Sequence, residues 1–493
     1  MEGALTGCNF PDMMPGSSGL PIGVGRWTGR ALVALAALTP FSVKLYTPGP
    51  DLEVIAPVEP LVACCGLGLL LLLARHGQEL WRAFRRVPGP IATSATLLIV
   101  FAALSASVSG MPVVAWKAFT VRAAYAVVFF GLPLLVLQQD THWVRRALDV
   151  HAASFTLVLM WALWVQTGTG FDRAGAGYTA FPFYTDHTVH SAALVFVLAW
   201  VIGRAAMIWR STRAWARALW VLWSAVLLFG LWASFCRAAW LSAAVVLVLL
   251  PAVLLPARWR LVVGMGTGLT MAAVLLLLWR SAAGRTVHGN SDDAGVRESL
   301  LSITNTTTDA SNRERLNRWR CALRMFKADP WLGTGPGTFQ FLYVAHQRPE
   351  EMTYLSVREP GAPSRIKRSW SLTPDTFIRS NPQTLYDSGG TAHSEYFLAL
   401  AESGLMGFGA WCALLGCVLW RALRTWWGPM PFQARIIDLT VGVAIAAYAV
   451  HAMFNNYLDD AKVAFPFWMM IAALHMGGPL ARADQSRSNA RQS

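Results

Sequence analysis

The chain has 493 residues, of which 55% are hydrophobic and 14% are charged, whereas a soluble domain carries about 25% charged residues. This composition excludes an ordinary soluble domain and indicates an all-α polytopic membrane protein. The formal net charge of +14 does not indicate a nucleic-acid partner, because arginines that flank apolar segments account for much of it.

Apolar segments long enough to cross a bilayer, which takes about 20 residues, recur along the chain. We predict about twelve transmembrane helices, interrupted by one large polar loop. Their approximate bounds are 28–46, 56–74, 90–109, 113–137, 144–167, 187–209, 215–234, 238–256, 259–279, 393–420, 436–456 and 462–478.

These segments divide the chain into five regions. The regions are a disordered cytoplasmic tail at 1–27, transmembrane helices 1–9 at 28–279, a loop domain at 280–392, transmembrane helices 10–12 at 393–478, and a cytoplasmic tail at 479–493. Short loops rich in arginine fall on one side of this arrangement, and the positive-inside rule places that side and both termini in the cytoplasm. The loop domain then lies on the opposite face of the membrane. Cys236 and Cys321 face the same compartment, and a disulfide between them is left open because nothing in their spacing requires it.

The loop at 280–392 carries 15 Lys and Arg against 11 Asp and Glu. An amphipathic helix that lies in the membrane interface is predicted over 313–329, where four large apolar residues recur at helical spacing. These residues are Leu316, Trp319, Leu323 and Phe326. Pro330 ends the helix. The stretch 348–388 is polar and interrupted by Pro and Gly, which predicts short helices and loops.

His393, which follows the loop, is the candidate general base. Thr391 is a suitable N-cap for the next helix, which predicts that His393 lies in the first turn of that helix. The positive end of the helix dipole disfavours an imidazolium there, and a neutral imidazole accepts a proton at neutral pH. The alternative is a histidine that only caps the helix or makes an interfacial hydrogen bond.

Two arginines are candidate anion-binding residues. Arg237 is the only charge between two long apolar runs, and a charge in such a place indicates a functional site; the alternative is an interfacial anchor. Arg315 falls on the opposite shoulder of its helix from Arg313 and Arg320, so we expect it to point into the bundle. The alternative for Arg315 is contact with lipid phosphates. Guanidinium groups bind phosphate oxygens bidentately and need no metal.

Several other polar residues are secondary candidates. Arg313 and Arg320 flank the apolar stripe of the loop helix, and Asp186 and His187 are expected at the rim of a cleft.

Asp459 and Asp460 lie in the last turn on the same face and are a second choice for the base. We find no Cys, His or carboxylate set with metal-ligand spacing on that face, so we expect neither a metal nor a cofactor.

Four motifs in this order resemble the O-antigen ligase/polymerase superfamily over residues 235–410 or so. They are Ser234-Phe-Cys-Arg237 with Trp240-Leu241; Arg315-Leu-Asn-Arg-Trp319; Pro330-Trp-Leu-Gly-Thr-Gly-Pro-Gly337; and His393-Ser-Glu-Tyr-Phe-Leu with Glu402-Ser-Gly-Leu-Met-Gly407. The layout of many spans with one large loop before the last of them is similar to that superfamily as well.

The resemblance implies a glycosyltransferase of the bacterial inner membrane that acts in lipopolysaccharide biosynthesis. Arg237 and Arg315 would hold the pyrophosphate of an undecaprenyl-pyrophosphate-linked glycan on the periplasmic face, and His393 would activate the acceptor hydroxyl. In the ligase branch the transfer is inverting and metal-independent, and the acceptor is the lipid A–core oligosaccharide. Membrane lipids are the expected surroundings, and nucleic acid is not an expected partner.

The ligase is our preferred interpretation, because a single basic loop with one candidate base suits the phosphorylated core of lipopolysaccharide. An O-antigen polymerase and a protein O-oligosaccharyltransferase are alternatives within the superfamily. A membrane transporter is the alternative from another class. It is disfavoured because the predicted spans carry few carboxylates, chiefly Glu402 and Asp438, and no internal repeat.

Overall fold

The computed structural model describes residues 22–46, 53–85, 89–137, 140–252, 266, 310–353, 355–356, 364–368, 383–387, 390–428 and 430–476. Most of the predicted N-terminal tail, the C-terminal tail and, apart from residue 266, the predicted helix at 259–279 lie outside these residues.

The described chain is built mainly from helices, with two short strand pairs. In order they are α1 (Ile22–Leu38), β1 (Val43–Tyr46), β2 (Glu53–Ala56), α2 (Val58–Arg85), α3 (Pro90–Val108), α4 (Pro112–Leu137), α5 (His142–Thr167), α6 (Arg173–Ala176), α7 (His187–Ile208), α8 (Ala214–Ala233), α9 (Arg237–Ala252), α10 (Ala310–Ala328), α11 (Phe339–Leu342), β3 (Ser364–Arg368), β4 (Gln383–Asp387), α12 (Glu395–Trp427), α13 (Phe432–His451) and α14 (Ala461–Ala473).

Each predicted span other than 259–279 overlaps a helix. Among the described residues, eight helices are long and apolar enough to cross a bilayer, and α9 and α14 are shorter apolar helices. The chain is therefore an all-α polytopic membrane protein, because a helix satisfies its own backbone hydrogen bonds in lipid. The count of twelve spans stays a prediction.

The first predicted span was wrong at both ends. α1 begins at Ile22, inside the region predicted as a tail, and ends at Leu38 instead of running over 28–46. Pro40 stops the helix, because the residue before a proline disfavours the helical conformation. β1 follows and pairs antiparallel with β2.

The expectation of only helices and loops over 348–388 was also wrong. β3 and β4 pair antiparallel, from Ser364 opposite Asp387 to Arg368 opposite Gln383. Such pairing joins residues that are far apart in the sequence, and strand formation depends on the partner strand more than on local propensity. The frequent Pro and Gly of this stretch therefore did not reveal it.

α13 lies at the centre of the bundle, where it packs against α7, α9 and α12, and α12 packs along α3. Two carboxylates inside the bundle are paired with arginines. Glu402 Oε2 lies 2.8 Å from Arg122 Nη1, and Asp438 Oδ2 lies 3.0 Å from Arg421 Nε. Pairing of this kind is what permits a charge to be buried.

A kink in α12 receives the glycine-rich turn of the loop domain. Gly404 has φ 59° and ψ −161°, which interrupts the helical hydrogen bonds around it. The turn supplies replacements: Leu405 N donates to Pro330 O (2.8 Å), and Gly335 N donates to Glu402 O (2.9 Å). Two of the sequence motifs, at 330–337 and 402–407, are thus hydrogen-bonded to each other through their backbones and form one joint.

This joint requires glycine on both sides. A Cβ on Gly404 would lie 2.4 Å from the carbonyl carbon of Trp331, and a Cβ on Gly333 would lie 2.5 Å from the carbonyl carbon of Glu402. Both glycines also have positive φ, 59° and 68°, where other side chains are disfavoured. The joint anchors the loop domain beside the start of α12.

We predict that Gly404→Ala destabilises the protein by about 3 kcal/mol or more, because it combines a strained backbone with a clash against backbone atoms. Thermal unfolding of the detergent-solubilised protein is the measurement. Gly409→Ala on the same helix is the matched control, since nothing lies within 4 Å of its added Cβ and alanine favours a helix. Equal melting temperatures for the two variants would contradict the requirement for glycine at position 404.

Candidate active site

An open cleft of about 270 Å³ lies where the first turns of α7, α9 and α10 meet. Three guanidinium groups, one imidazole and several neutral polar side chains line it, and no carboxylate is among the described residues of its wall. The basic and amide-bearing residues are Arg173, Arg237, Arg315, His187, Asn312 and Asn455. The wall is therefore cationic.

The three helix starts add to this positive character. Backbone N–H groups without intrahelical partners and the positive end of the dipole point out of each start, and such ends bind phosphate groups. Arg237 is the first residue of α9, His187 is the first residue of α7, and Arg315 lies in the second turn of α10. Side-chain charge and helix dipole have the same sign here, which favours an anionic ligand.

A sharp hairpin between α8 and α9 presents Arg237 to the cleft. Phe235 has φ 50°, which is uncommon for an aromatic residue. The Ser234 hydroxyl donates to Leu231 O (2.7 Å) and accepts from Cys236 N (3.3 Å). The Ser-Phe-Cys-Arg motif is thus a turn held by its own serine.

The two cysteines for which a disulfide was left open are both free thiols. Cys236 is buried in the cleft wall, and burial raises the pKa of its thiol to about 11. It is therefore a weak nucleophile at neutral pH. Cys321 is buried as well, and its thiol donates to Asn317 Oδ1 within α10.

Arg315 enters the cleft from α10. Its Nη1 donates to Asn312 Oδ1 (3.0 Å), one turn earlier on the helix. Arg313 and Arg320 are exposed and are not among the residues that line the cleft; Arg320 Nη1 instead lies 3.5 Å from Glu351 Oε1. The structure thus separates Arg315 from the two secondary candidates on its helix.

The face of α10 that packs on the protein mixes polar and small apolar side chains, contrary to what the apolar stripe suggests. Its most buried residues are Glu314, Asn317, Arg318, Cys321, Ala322 and Met325. The stripe lies beside this face: Leu323 is exposed, and Trp319 stacks on Phe397 with ring centroids 5.0 Å apart. Periodicity revealed the helix and its end before Pro330 but not the buried face, because internal partners satisfy these polar side chains.

Asp186 and His187 lie at the start of α7. Asp186 is the N-cap: its Oδ1 accepts from Thr188 N (2.7 Å) and lies 3.2 Å from His187 Nδ1. Burial acts to raise the pKa of Asp186, but His187 and the hydrogen bonds from Thr188 outweigh it and lower the pKa to about 2. Asp186 is therefore a carboxylate. His190 stacks on Phe155 in the core (5.0 Å) and does not line the cleft beside His187.

His393 lies just before α12, so the prediction that it occupies the first turn was wrong. α12 begins at Glu395, with Ser394 at its N-cap position. The hydroxyl of Thr391, the predicted N-cap, accepts a long hydrogen bond from His393 N (3.4 Å). The cause is the φ of 49° at His393, which turns the chain before the helix can start.

The imidazole of His393 lies within electrostatic reach of Arg318, Arg315 and Asp186. Burial, followed by the charges of Arg318 and Arg315, lowers the pKa of His393 well below its ordinary value, and Asp186 opposes this only in part. His393 is thus a neutral imidazole at neutral pH and can accept a proton. It stands beside Arg315, which shares the cleft with Arg237, although His393 itself is not among the lining residues.

A second cavity, of about 120 Å³, lies between α3, α4 and α12. Its walls are mostly apolar, and Arg122 is accompanied there by three carboxylates, those of Glu395, Glu402 and Asp459. Carboxyl groups outnumber guanidinium groups there, which disfavours an anionic ligand. Of these two cavities, the cationic cleft is therefore the one suited to a diphosphate.

The second-choice bases have other partners. Asp459 lines the second cavity, 4.0 Å from Arg122 Nη2. Asp460 is the N-cap of α14 and accepts from Lys462 N (2.9 Å). Neither carboxylate lines the cationic cleft, and their partners lie elsewhere. His393 does not line the cleft either, but it lies within electrostatic reach of Arg315, which does, so the geometry favours His393 over both.

The sequence did not mark Arg173, Asn455 or Arg318 as site residues. Arg173 and Asn455 come from short connections between spans and line the cleft, and no local pattern indicates their role. Arg318 is buried in α10, and its Nη1 donates to Thr391 O (2.9 Å). Its spacing of four residues from Glu314 is typical of a helical ion pair and was the available signal.

Fold and cleft together define a class of protein: a multi-pass membrane protein with a cationic site at the shared start of several helices. Residues 222–412 match the family described as O-Antigen ligase, a segment that contains Arg237, Arg315 and His393. Over this segment the chain resembles the O-antigen ligase superfamily, as the four motifs predicted. A comparison with curated proteins finds no match.

We predict that the detergent-solubilised protein binds inorganic pyrophosphate and that Arg315→Ala weakens this binding about tenfold or more. A hydrogen bond to a charged group contributes about 1.5–3 kcal/mol. Calorimetric titration at constant ionic strength is the measurement. Arg313→Ala removes the same charge from an exposed position of the same helix and is the matched control; equal affinities of the two variants would show that the cleft is not the anion site.

Proposed function

We propose that the protein is an O-antigen ligase that transfers O-antigen polysaccharide from undecaprenyl pyrophosphate to the lipid A–core oligosaccharide. The observation that carries the proposal is the charge of the cleft, which Arg173, Arg237 and Arg315 line together with three helix starts and without a carboxylate in the described wall. A lipid-linked diphosphate is an anion that such a site suits. The match of residues 222–412 to the O-antigen ligase family suggests the class of reaction.

The reaction is an inverting displacement. The oxygen of an acceptor hydroxyl attacks the anomeric carbon of the donor glycan, and a new glycosidic bond forms. The bond between that carbon and the phosphate oxygen breaks, and its electron pair leaves with undecaprenyl pyrophosphate. The hydroxyl proton passes to the imidazole of His393, so that charge and atoms balance.

Each group has a physical reason for its role. Arg237 and Arg315 stabilise the negative charge that develops on the leaving pyrophosphate, an effect usually of several kcal/mol. Because they carry fixed charges, they can act without a metal. His393 is neutral at the working pH, which is the state that a general base requires.

We place the protein in the bacterial inner membrane, with both termini in the cytoplasm and the cleft on the periplasmic face. The arginine-rich short loops support this orientation. α10 leaves Leu323 of its apolar stripe exposed, as expected of a helix that lies in the membrane interface.

The choice of acceptor rests on the loop domain. Residues 280–392 carry 15 Lys and Arg against 11 Asp and Glu, and a basic loop suits the phosphorylated lipopolysaccharide core. A polymerase or a protein O-oligosaccharyltransferase would use the same cleft with another acceptor.

A transporter has less support. Transport would be expected to use ionisable groups within the spans, but Glu402 and Asp438 are paired with Arg122 and Arg421.

We predict that His393→Ala and His393→Gln abolish the attachment of O-antigen when they replace the ligase of a bacterial host, because neither side chain can accept the hydroxyl proton at neutral pH. Removal of a general base typically lowers the rate 10²–10⁴-fold. The measurement is the lipopolysaccharide ladder on a silver-stained gel. His346→Ala in the loop domain, at equal membrane abundance, is the control, and a full ladder with His393→Ala would refute the assigned base.

A deletion of the gene distinguishes the activities within the superfamily. We expect loss of the whole ladder with an intact core band, because a ligase attaches every chain length. A band of core with a single repeat unit would identify a polymerase instead. An intact ladder with loss of glycan from a surface protein would identify a protein O-oligosaccharyltransferase.

A further inference from the structure

Arg318 connects the helix that carries Arg315 to the turn that carries His393. Its Nη1 donates to Thr391 O (2.9 Å), and its Nε donates to Glu314 Oε1 (2.9 Å) on its own helix. Its side chain is only 7% exposed. Hydrogen bonds from a charged donor are the stronger kind, so this link between α10 and the turn is firm.

Other groups of the loop domain hold Arg318 in place. Glu314 Oε2 accepts from Thr353 Oγ1 (2.8 Å) and from Ser356 Oγ (2.5 Å), which fixes the carboxylate that Arg318 binds. On another side the guanidinium carbon lies 5.6 Å from the centroid of the Tyr343 ring. Arg318 is therefore positioned by partners from several segments.

The turn that Arg318 holds has an unusual backbone. Gly390 has φ 92° and His393 has φ 49°. A Cβ on Gly390 would lie 3.0 Å from Arg318 Nη1 and 2.7 Å from Tyr343 Oη, so the glycine leaves room for the guanidinium to reach Thr391 O. A histidine keeps a positive φ only where its surroundings enforce it, and the bond to Thr391 O is part of that enforcement.

We propose that Arg318 is a positioning residue of the transfer reaction, which holds the Thr391–His393 turn against α10 and so sets the place of the imidazole relative to the guanidinium of Arg315. The inference rests on the proposed function, because it takes His393 as the base. Arg318 does not line the cleft, so it acts through these two residues and not on the substrate.

The positive charge of Arg318 also lowers the pKa of His393. The charged groups that face the imidazole are Arg318 and Arg315 from α10 and Asp186 from the start of α7. Because a nearby positive charge disfavours the imidazolium, removal of the Arg318 charge raises the pKa of His393. The neutral, active fraction of the imidazole is then lost at a higher pH as the solution is made more acidic.

Steady-state kinetics of the purified protein with a lipid-linked donor and a lipid A–core acceptor test this role. Arg318→Gln and Arg318→Lys both lose the simultaneous hydrogen bonds to Glu314 and to Thr391 O. We expect kcat to fall about tenfold or more in each variant, since small displacements of a catalytic group are costly. The KM for the donor should change less than about threefold, because Arg237 and Arg315 remain. Lys327→Gln, at an exposed position near the end of α10, is the matched control.

The pH profile separates positioning from mere support of the fold. The acid limb of kcat should move to higher pH in Arg318→Gln, which lacks the charge, and should stay near that of the wild type in Arg318→Lys. A lower melting temperature with an unchanged kcat and pH profile in the folded fraction would overturn the proposal. If Arg318→Gln does not fold, Glu314→Gln loosens the same guanidinium while keeping its charge, and an unchanged kcat there would overturn the proposal as well.

His393→Ala assayed alongside keeps the two proposals distinguishable. If His393→Ala is inactive while the Arg318 variants keep wild-type kcat, the positioning role alone is refuted. If His393→Ala is fully active, the assignment of the base fails.

Discussion

A concentration of positive charge is the constraint on which the site depends. Three arginines and the starts of three helices share one cleft, and no carboxylate is among its described lining residues. Like charges brought together away from bulk water repel one another, so the cleft is complementary to an anion. The carboxylates of Glu395, Glu402 and Asp459 gather at the second cavity instead, and this separation of sign makes the two cavities chemically different.

The loop domain contributes to the cleft because it is attached on both sides of the start of α12. On one side its glycine-rich turn replaces the helical hydrogen bonds that α12 loses at Gly404. On the other side Arg318 holds the turn that precedes Glu395. Buried cores also join the two parts, since residues of α10 and α12 share one apolar cluster. The arginine of a loop helix and the histidine before a span are thereby brought to one place.

The sequence predicted most of the spans, since a run of apolar residues with the length of the bilayer is a local property. It also indicated Arg237, Arg315 and His393 as candidate site residues, because each is a chemically suitable residue in an unusual local setting. The sequence did not predict features that depend on contacts between residues far apart along the chain. The buried face of α10 includes polar residues such as Glu314, whose partners lie elsewhere in the loop domain, and β3 meets β4 only through the fold. Thr391 has the composition of an N-cap, but the positive φ of His393 moves the start of the helix.

What the sequence determined by itself was the class of protein, the positions of its spans and the kinds of side chain available for chemistry, because hydrophobic length and residue type can be read locally. Only the tertiary structure decided that Arg315 shares a cleft with Arg237 while Arg313 does not, and that Arg173 and Asn455 join them. It also decided that Arg318 is buried against Thr391 and not solvated. These outcomes depend on which distant segments pack together, and a pairing between distant segments is not encoded in the spacing of residues along either one.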